Sequence, residues 1–270
     1  MIRLAALLIM CFSTLSAVAQ INPKGSFLEK KGAVEGGYNF WVYMPEEYET
    51  DQHALPLIVF LHGASLCGKN LDKVRRYGVL DAIDRGLIMP MFVLAPQNPG
   101  GAWNPKKLSD LIDWMKENYA IDSTRVFVLG MSLGGYGTLD FVGTYPEKVA
   151  AAMALCGGTT LKDISGLGRT PLWIMHGTAD RAVNIRESKK IVDNLTAEGN
   201  DKLLRYDWLE GASHGTLARL FYLQKTYDWL LSHSLGDNPR TVDKDFDIEW
   251  DDIKSTYQQL KNNIEDYDND

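Results

Sequence analysis

The sequence has few cysteines, no basic excess and no apolar run long enough for a membrane helix. Three cysteines occur in 270 residues, and Cys11 lies in an N-terminal apolar run. Cys67 and Cys156 alone make no disulfide framework, and their spacing fits no metal motif. One disulfide between them and two free thiols both remain open. The sequence therefore predicts no metal site and no membrane span.

The net charge of −7 lies entirely in the C-terminal segment. Asp237–Asp270 contains eleven acidic and four basic residues, so the charges before it sum to zero. A near-neutral body offers no basic face for nucleic acid. We therefore expect no nucleic-acid partner.

The N-terminus has the pattern of a secretory signal peptide. A basic start at Arg3 precedes the apolar run Leu4–Phe12, and Ala17-Val18-Ala19 matches an A-x-A cleavage site. The run is too short to span a membrane stably. We predict a signal peptide over 1–19, cut after Ala19, and a secreted or periplasmic protein, with an uncleaved anchor as the alternative.

Short apolar runs alternate with helical patterns along the rest of the chain. The predicted strands are Phe27–Lys31, Tyr38–Met44, Leu55–Leu61, Met91–Ala95, Val126–Leu129, Ala150–Leu155, Leu172–Met175 and Leu203–Leu209. The predicted helices are Lys69–Arg85, Leu108–Tyr119, Gly134–Tyr145, Ile185–Glu198 and Thr216–Ser232. This spacing predicts one α/β domain over 20–234, with a mainly parallel sheet, helices on both faces and no large lid.

The segment around Ser132 is the most informative part of the sequence. An apolar, β-branched run leads directly into Gly130-Met131-Ser132-Leu133-Gly134, and small residues follow. This is the strand–turn–helix context of a nucleophile elbow, in which the serine hydroxyl is exposed above the sheet. Ser132 is therefore the predicted nucleophile.

His214 is the predicted general base, chosen by elimination among five histidines. It lies in a flexible loop between the last strand and the last long helix, from which it can reach the elbow. The others precede a strand, end a helix or shape a strand end; they are His53, His62, His176 and His233. A loop histidine without a role is the alternative for His214.

The acid of such a triad is expected between serine and histidine in chain order. Asp180 follows the strand Leu172–Met175 and is the predicted partner of the histidine Nδ1–H group. A helix-capping role is the alternative for Asp180, and Asp207 and Glu210 are weaker candidates for the acid.

The predicted oxyanion hole consists of two backbone N–H groups, those of Leu133 and Ala64. The loops at the same sheet edge supply candidate substrate contacts, because ligands bind at the carboxyl ends of parallel strands. These contacts are Ser65, Gln97 and Trp103, whose indole either stacks on the substrate or covers the core.

Together these motifs resemble the α/β-hydrolases of the esterase group. That group includes feruloyl and acetyl-xylan carbohydrate esterases, polyhydroxybutyrate depolymerases and phospholipase/carboxylesterases. The resemblance runs from Leu55 to about Ser232 and rests on Leu57–Gly63, Ala95-Pro96-Gln97, Trp103, Asp122–Arg125, the elbow, His176–Asp180 and Ser213-His214-Gly215. It implies the α/β-hydrolase fold and a Ser-His-Asp esterase that needs no cofactor.

The expected substrate is a small-molecule or carbohydrate ester, with an acyl group on a polysaccharide or oligosaccharide favoured. A general carboxylesterase or phospholipase is one alternative, and a serine peptidase resembling prolyl oligopeptidases is another. A non-catalytic binding module on the same fold is the third, but all three triad residues are present.

The C-terminal segment 235–270 is predicted to be an acidic linker and an amphipathic helix over Asp247–Glu265. Its apolar stripe repeats every three or four residues and comprises Phe246, Trp250, Ile253, Tyr257, Leu260 and Ile264. The stripe docks either on its own domain, which we expect, or on a second copy in a homodimer. Docking on the domain would bury Trp250 and Tyr257.

Overall fold

The computed structural model describes residues 25–267. The predicted signal peptide lies outside these residues. The strands are β1 (Ser26–Lys30), β2 (Phe40–Met44), β3 (Leu55–Leu61), β4 (Phe92–Pro96), β5 (Ile121–Met131), β6 (Ala151–Leu155), β7 (Leu172–Gly177) and β8 (Leu204–Leu209). The helices are α1 (Glu46–Thr50), α2 (Val79–Asp84), α3 (Pro105–Asn118), α4 (Leu133–Thr144), α5 (Arg186–Ala197), α6 (His214–Leu217), α7 (Gln224–Leu231) and α8 (Trp250–Tyr267).

All eight strands form one sheet in the order β1-β2-β4-β3-β5-β6-β7-β8. β1 pairs antiparallel with β2, and β2 antiparallel with β4, whereas the remaining pairs are parallel. Every residue of β3 is buried, as expected for a central strand covered on both faces. The mainly parallel sheet predicted from the alternating pattern is therefore confirmed.

Helices cover both faces of the sheet. The sheet therefore lies between two apolar cores. Residues of α3, α4 and α5 pack on one face with side chains such as Leu57 and Val128. Residues of α2, α6, α7 and α8 pack on the other with side chains such as Phe60 and Phe127. No helix among residues 25–267 combines the length and apolar character needed to cross a membrane.

Two segments predicted as single helices are divided in the structure. The segment predicted over Lys69–Arg85 forms a 3-10 helix, Leu71–Arg75, and then α2, because Gly78 between them has φ +93°. A Cβ at Gly78 would overlap the Phe60 ring. The segment predicted over Thr216–Ser232 forms α6, a 3-10 helix and α7, since Leu223 is extended and stops the helix.

The C-terminal helix α8 packs on its own chain, but not through all of its predicted stripe. Ile253 and Leu260 are buried in the core, whereas Trp250 and Tyr257 are 41% and 44% exposed, so the prediction that both aromatics are buried is wrong. At about 100° per residue, Trp250 and Tyr257 lie to one side of the buried face, which is centred on Ile253, Thr256 and Leu260. The side chain of Ile264 lies outside the described part.

Candidate active site

Ser132 occupies a strained turn between β5 and α4. Its φ of 59° and ψ of −122° are unusual for a residue with a side chain. The backbone holds this conformation, because Ser132 N donates to Leu155 O at 2.8 Å and Ser132 O accepts from Tyr136 N at 3.0 Å. The serine is therefore presented at the carboxyl end of the central strand.

Glycines on either side of Ser132 allow the turn to be this tight. A Cβ at Gly130 would overlap the backbone oxygen of Gly134, and one at Gly134 would overlap the backbone oxygen of Leu61. Strand β5, helix α4 and strand β3 therefore approach more closely here than side chains permit.

Asp180 and His214 are joined by a short hydrogen bond. His214 Nδ1 lies 2.6 Å from Asp180 Oδ2, in a pair where the carboxyl side chain is fully buried and the imidazole is 26% exposed. Asp180 follows β7 and does not cap α5; Asn184 instead accepts from Arg186 N at the start of that helix. The second oxygen of Asp180 accepts from the N–H groups of Ala182 and Val183.

The surroundings of Asp180 favour its ionised form. Burial alone would raise the pKa of this carboxyl group. The Val183 N–H, His214, the Ala182 N–H and the Cys156 thiol all donate hydrogen bonds to it, and together they lower its pKa. Asp180 can therefore hold His214 in one tautomer and stabilise a positive charge on its ring.

A second histidine and a cysteine complete the buried network around Asp180. His176 Nε2 donates to Val183 O at 3.1 Å and lies 3.4 Å from Asp180 Oδ2, while its Nδ1 lies 2.8 Å from Ser188 Oγ. Burial raises the pKa of the Cys156 thiol, so it remains a hydrogen-bond donor. Cys67 and Cys156, the cysteines among residues 25–267, are free thiols, and no disulfide joins them.

Donor atoms of Cys156, His176 and Asp180 lie within 4.8 Å of one another, a spacing that could suit a metal ion. The His176 Nε2 atom already donates a proton to Val183 O. Asp180 is likewise occupied by two backbone N–H groups and by His214. The arrangement is that of a hydrogen-bonded support for the carboxylate.

Ser132 and His214 line one cavity of about 370 Å³. The other residues around it are small or lie at loop ends: Gly63, Ala64, Ser65, Tyr77, Met131, Gly215 and Ala218. Ala64 and Leu133 are each the first residue of a helix. The first N–H groups of a helix have no intrahelical acceptor, and these two have no other backbone acceptor among residues 25–267, which leaves them available to a ligand oxygen.

His62 holds the peptide group that carries the Ala64 N–H. The buried His62 Nδ1 donates to Gly63 O at 2.8 Å, and its Nε2 accepts from Asn98 N at 3.0 Å. Because Gly63 C=O and Ala64 N–H belong to one planar trans peptide, fixing the oxygen also fixes the direction of the N–H. The sequence alone indicates only a loop-shaping role for His62.

The three expected substrate contacts have different positions. Ser65 is exposed and lines the cavity. Trp103 is only 3% exposed and packs edge-on against Tyr38 and His62, which corresponds to the alternative in which its indole covers the core. Gln97 is buried and its Nε2 donates to Leu66 O, which makes it a support for the loop instead of a surface contact.

His214 also lines a second opening, of about 560 Å³. It is lined by Ala179, Arg181, Ala182, Ser213, His214 and Gly215. His214 therefore borders two openings. The one that Ser132 lines is also lined by the candidate oxyanion donor Ala64, and the other is lined by Arg181.

Residues 101–249 match the family model described as phospholipase/carboxylesterase. A bifunctional acetylxylan esterase/xylanase of Neocallimastix patriciarum is 33% identical over 167 residues, covering 58% of this chain and 24% of that protein. The chain thus spans about a quarter of that relative's length.

Solved structures also resemble this chain. A thermostable esterase has a TM-score of 0.65 at 28% identity, covering 77% of this chain and 63% of the other. The feruloyl esterase module from Clostridium thermocellum, complexed with sinapinate, has a TM-score of 0.58 at 16% identity, covering 76% and 87%. This second similarity is one of fold. With the family match extending over more than half of its residues, the chain belongs to the phospholipase/carboxylesterase family and has the α/β-hydrolase fold.

Proposed function

We propose that this protein is a serine hydrolase that cleaves carboxylic esters through Ser132, His214 and Asp180. The observation that carries the proposal is the 2.6 Å contact between His214 Nδ1 and Asp180 Oδ2, with Ser132 lining the same cavity as His214. Family membership agrees with it, because the family is described as phospholipase/carboxylesterase.

The proposed reaction has two halves. Ser132 Oγ attacks the ester carbonyl carbon while His214 Nε2 removes the hydroxyl proton, which gives a tetrahedral oxyanion. The N–H groups of Leu133 and Ala64 donate to that oxyanion. His214 then returns the proton to the departing alcohol, and an acyl-serine ester remains. Water, deprotonated by His214, attacks the acyl carbon; the bond to Ser132 Oγ then breaks, His214 returns the proton to Oγ, and the carboxylic acid leaves.

The proposed substrate carries a small or medium acyl group on a polysaccharide or oligosaccharide. A cavity of about 370 Å³ is at the lower end of the range for small-molecule sites and accepts a compact acyl group. The acetylxylan esterase/xylanase relative carries such an activity in its name. Export through the predicted signal peptide at 1–19 would bring the enzyme to external polymers.

Hydrolysis of p-nitrophenyl acetate and butyrate tests the chemistry. Wild type should hydrolyse both, and Ser132→Ala should lower kcat by several orders of magnitude, because it removes the nucleophile. Equal rates in the two proteins would refute the assignment of Ser132.

A substrate panel tests the alcohol and acyl parts. It comprises acetylated xylan, methyl ferulate, a short-chain phospholipid and a proline-containing peptide. Faster turnover of acetylated xylan than of the phospholipid supports a carbohydrate esterase. A preference of orders of magnitude for the peptide would replace the esterase proposal with a peptidase.

A further inference from the structure

Tyr77 contributes a hydroxyl group to the cavity that contains Ser132 and His214. It lies between the 3-10 helix Leu71–Arg75 and helix α2. Tyr77 Oη accepts a hydrogen bond from Gly63 N at 3.1 Å. Gly63 directly precedes Ala64, so this hydroxyl lies beside the loop that carries one proposed oxyanion donor.

The Tyr77 hydroxyl and the nucleophile both lie close to the position that a side chain at Gly63 would occupy. A Cβ built on Gly63 would be 2.9 Å from Tyr77 Oη and 3.5 Å from Ser132 Cβ. Any side chain at position 63 would therefore contact both the hydroxyl and the serine. Gly63 leaves that space open to a ligand atom.

The proton of the Tyr77 hydroxyl has no acceptor among residues 25–267. A phenol group has one O–H donor as well as acceptor lone pairs. The Gly63 N–H group donates to a lone pair of Tyr77 Oη, so the Tyr77 O–H group remains available to donate to an atom in the cavity. Tyr222 shows the contrast: its Oη accepts from Gly78 N at 3.1 Å and donates to Asp81 Oδ2 at 2.7 Å.

The backbone next to Tyr77 is held firmly. Gly78 N donates to Tyr222 Oη, and the φ of +93° at Gly78 packs its backbone against the Phe60 ring. The hydroxyl is therefore placed beside Gly63 before any substrate binds. Such preorganisation is what allows a donor to stabilise charge without a reorganisation cost.

We propose that Tyr77 is a catalytic residue that donates its O–H hydrogen bond to the ester oxygen as this oxygen becomes an oxyanion. It acts as a third donor beside Leu133 N–H and Ala64 N–H, and its proton stays on the phenol throughout. The Gly63 N–H bond to Tyr77 Oη polarises the phenol and makes it a better donor. The proposal rests on the proposed esterase function.

Tyr77→Phe tests this role, and Tyr48→Phe is the matched control. Tyr48 Oη likewise accepts a backbone N–H, that of Ala120 at 3.0 Å, at the opposite edge of the sheet from the cavity. We expect Tyr77→Phe to lower kcat for p-nitrophenyl acetate about 10- to 100-fold with KM nearly unchanged, because the donor acts mainly in the transition state. Tyr48→Phe should retain wild-type kcat. The melting temperatures of both variants show whether they fold.

Phosphorylation of Ser132 by diethyl p-nitrophenyl phosphate separates this proposal from the choice of substrate. The reaction needs the nucleophile and the oxyanion donors but no natural ester, so Tyr77→Phe should slow it by a similar factor. In a crystal structure of the adduct, Tyr77 Oη should lie within about 3.1 Å of the phosphoryl oxygen.

If Tyr77→Phe hydrolyses the ester and reacts with the phosphate triester at wild-type rates, Tyr77 is not an oxyanion donor. A distance above about 4 Å between Tyr77 Oη and the phosphoryl oxygen in the adduct would also overturn the proposal. If wild type reacts with the phosphate triester but hydrolyses no ester, the proposed function fails. The phosphorylation rate of Tyr77→Phe then still decides whether Tyr77 is an oxyanion donor.

Discussion

His176 Nε2 lies 3.4 Å from Asp180 Oδ2, the same carboxylate oxygen that contacts His214 Nδ1 at 2.6 Å. Two histidines therefore approach one buried oxygen from different elements. His214 comes from α6 and is partly exposed, whereas His176 lies in β7, one residue before its end, and has no exposed side-chain area. The buried histidine is placed to hold the carboxylate, and the exposed one to exchange protons.

Replacing His176 should weaken both the fold and the site. His176→Phe keeps a ring but removes the donor to Val183 O and the partner of Ser188 Oγ. Val183 O then loses its donor, whereas Ser188 Oγ keeps its bond to Gly157 O, and the loss should lower the free energy of unfolding by about 1–3 kcal/mol. Ester turnover should fall as well, because Asp180 loses a polar neighbour. Urea unfolding and p-nitrophenyl acetate assays measure the two effects, and unchanged values in both would exclude a supporting role.

Asp180→Asn should reduce turnover far more than substrate binding. The amide keeps the shape of the carboxylate but no longer fixes the His214 tautomer or stabilises a positive imidazole. In a comparable triad this change lowers kcat by about 10⁴. Steady-state kinetics with p-nitrophenyl butyrate should show the loss in kcat with little change in KM. Asp207→Asn is the control, since Asp207 accepts from Trp173 Nε1 on β7 and does not contact His214; an equal loss there would point to another acid.

The elbow glycines should tolerate no side chain. A Cβ in Gly134→Ala would overlap the backbone oxygen of Leu61, which cannot move without displacing β3. We expect this variant to be strongly destabilised or insoluble. Gly215→Ala is the matched comparison, because a Cβ there meets no atom within 4 Å. Thermal melting should show a large fall in Tm for the first variant alone; a folded, active Gly134→Ala would contradict the close approach.

Acid should destabilise this protein below about pH 6.5. Burial lowers the pKa of His62, His176 and His233 in the folded state. Between each lowered pKa and the value of about 6.5 in the unfolded chain, the unfolded state binds more protons. The contribution of these histidines to the free energy of unfolding is therefore fully present above about pH 6.5. It declines as pH falls, by at most about 1.4 kcal/mol per pH unit for each histidine. The pKa of Asp180 is also lowered, so its contribution is lost only below about pH 4.

Urea unfolding between pH 5 and 8 measures this dependence. His233→Gln removes one buried imidazole outside the candidate site and should make the decline with falling pH less steep. A free energy of unfolding that is constant from pH 8 to 5 would show that the three histidines titrate normally in the folded protein.

The sequence predicted the sheet and the positions of the candidate triad, but not the fine structure around them. Strand periodicity and the glycine-flanked serine are local signals, and chain order then places Asp180 and His214 at one sheet edge. The burial of Trp103 is not a local property. It depends on Gly137 in α4, where a Cβ would lie 2.5 Å from the Trp103 ring and fill its position.

Tyr77 is a second feature that local patterns did not reveal. The sequence predicts an uninterrupted helix over Lys69–Arg85, and on such a helix Tyr77 would have no defined relation to the serine. The positive φ of Gly78 ends that pattern and turns the chain, so that the phenol reaches Gly63. This contact joins residues 14 positions apart, and the Phe60 ring of β3 fills the space that a side chain at Gly78 would need.

The buried face of α8 should stabilise the domain, and its exposed aromatics should not. Ile253 is 1% exposed and packs in the core beneath the sheet, whereas Trp250 is 41% exposed on the same helix. Ile253→Ala should lower the free energy of unfolding by about 2–4 kcal/mol, because it leaves a cavity, and Trp250→Ala should lower it much less.

Deletion from Asp243 onward should lower Tm further, since it also removes Ile248 and Leu260 from the core. The proposed triad chemistry should persist in the truncated protein at low temperature. Light scattering before and after truncation tests the homodimer alternative: conversion of a dimer to a monomer with unchanged Tm would mean that α8 serves association and not the stability of its own domain.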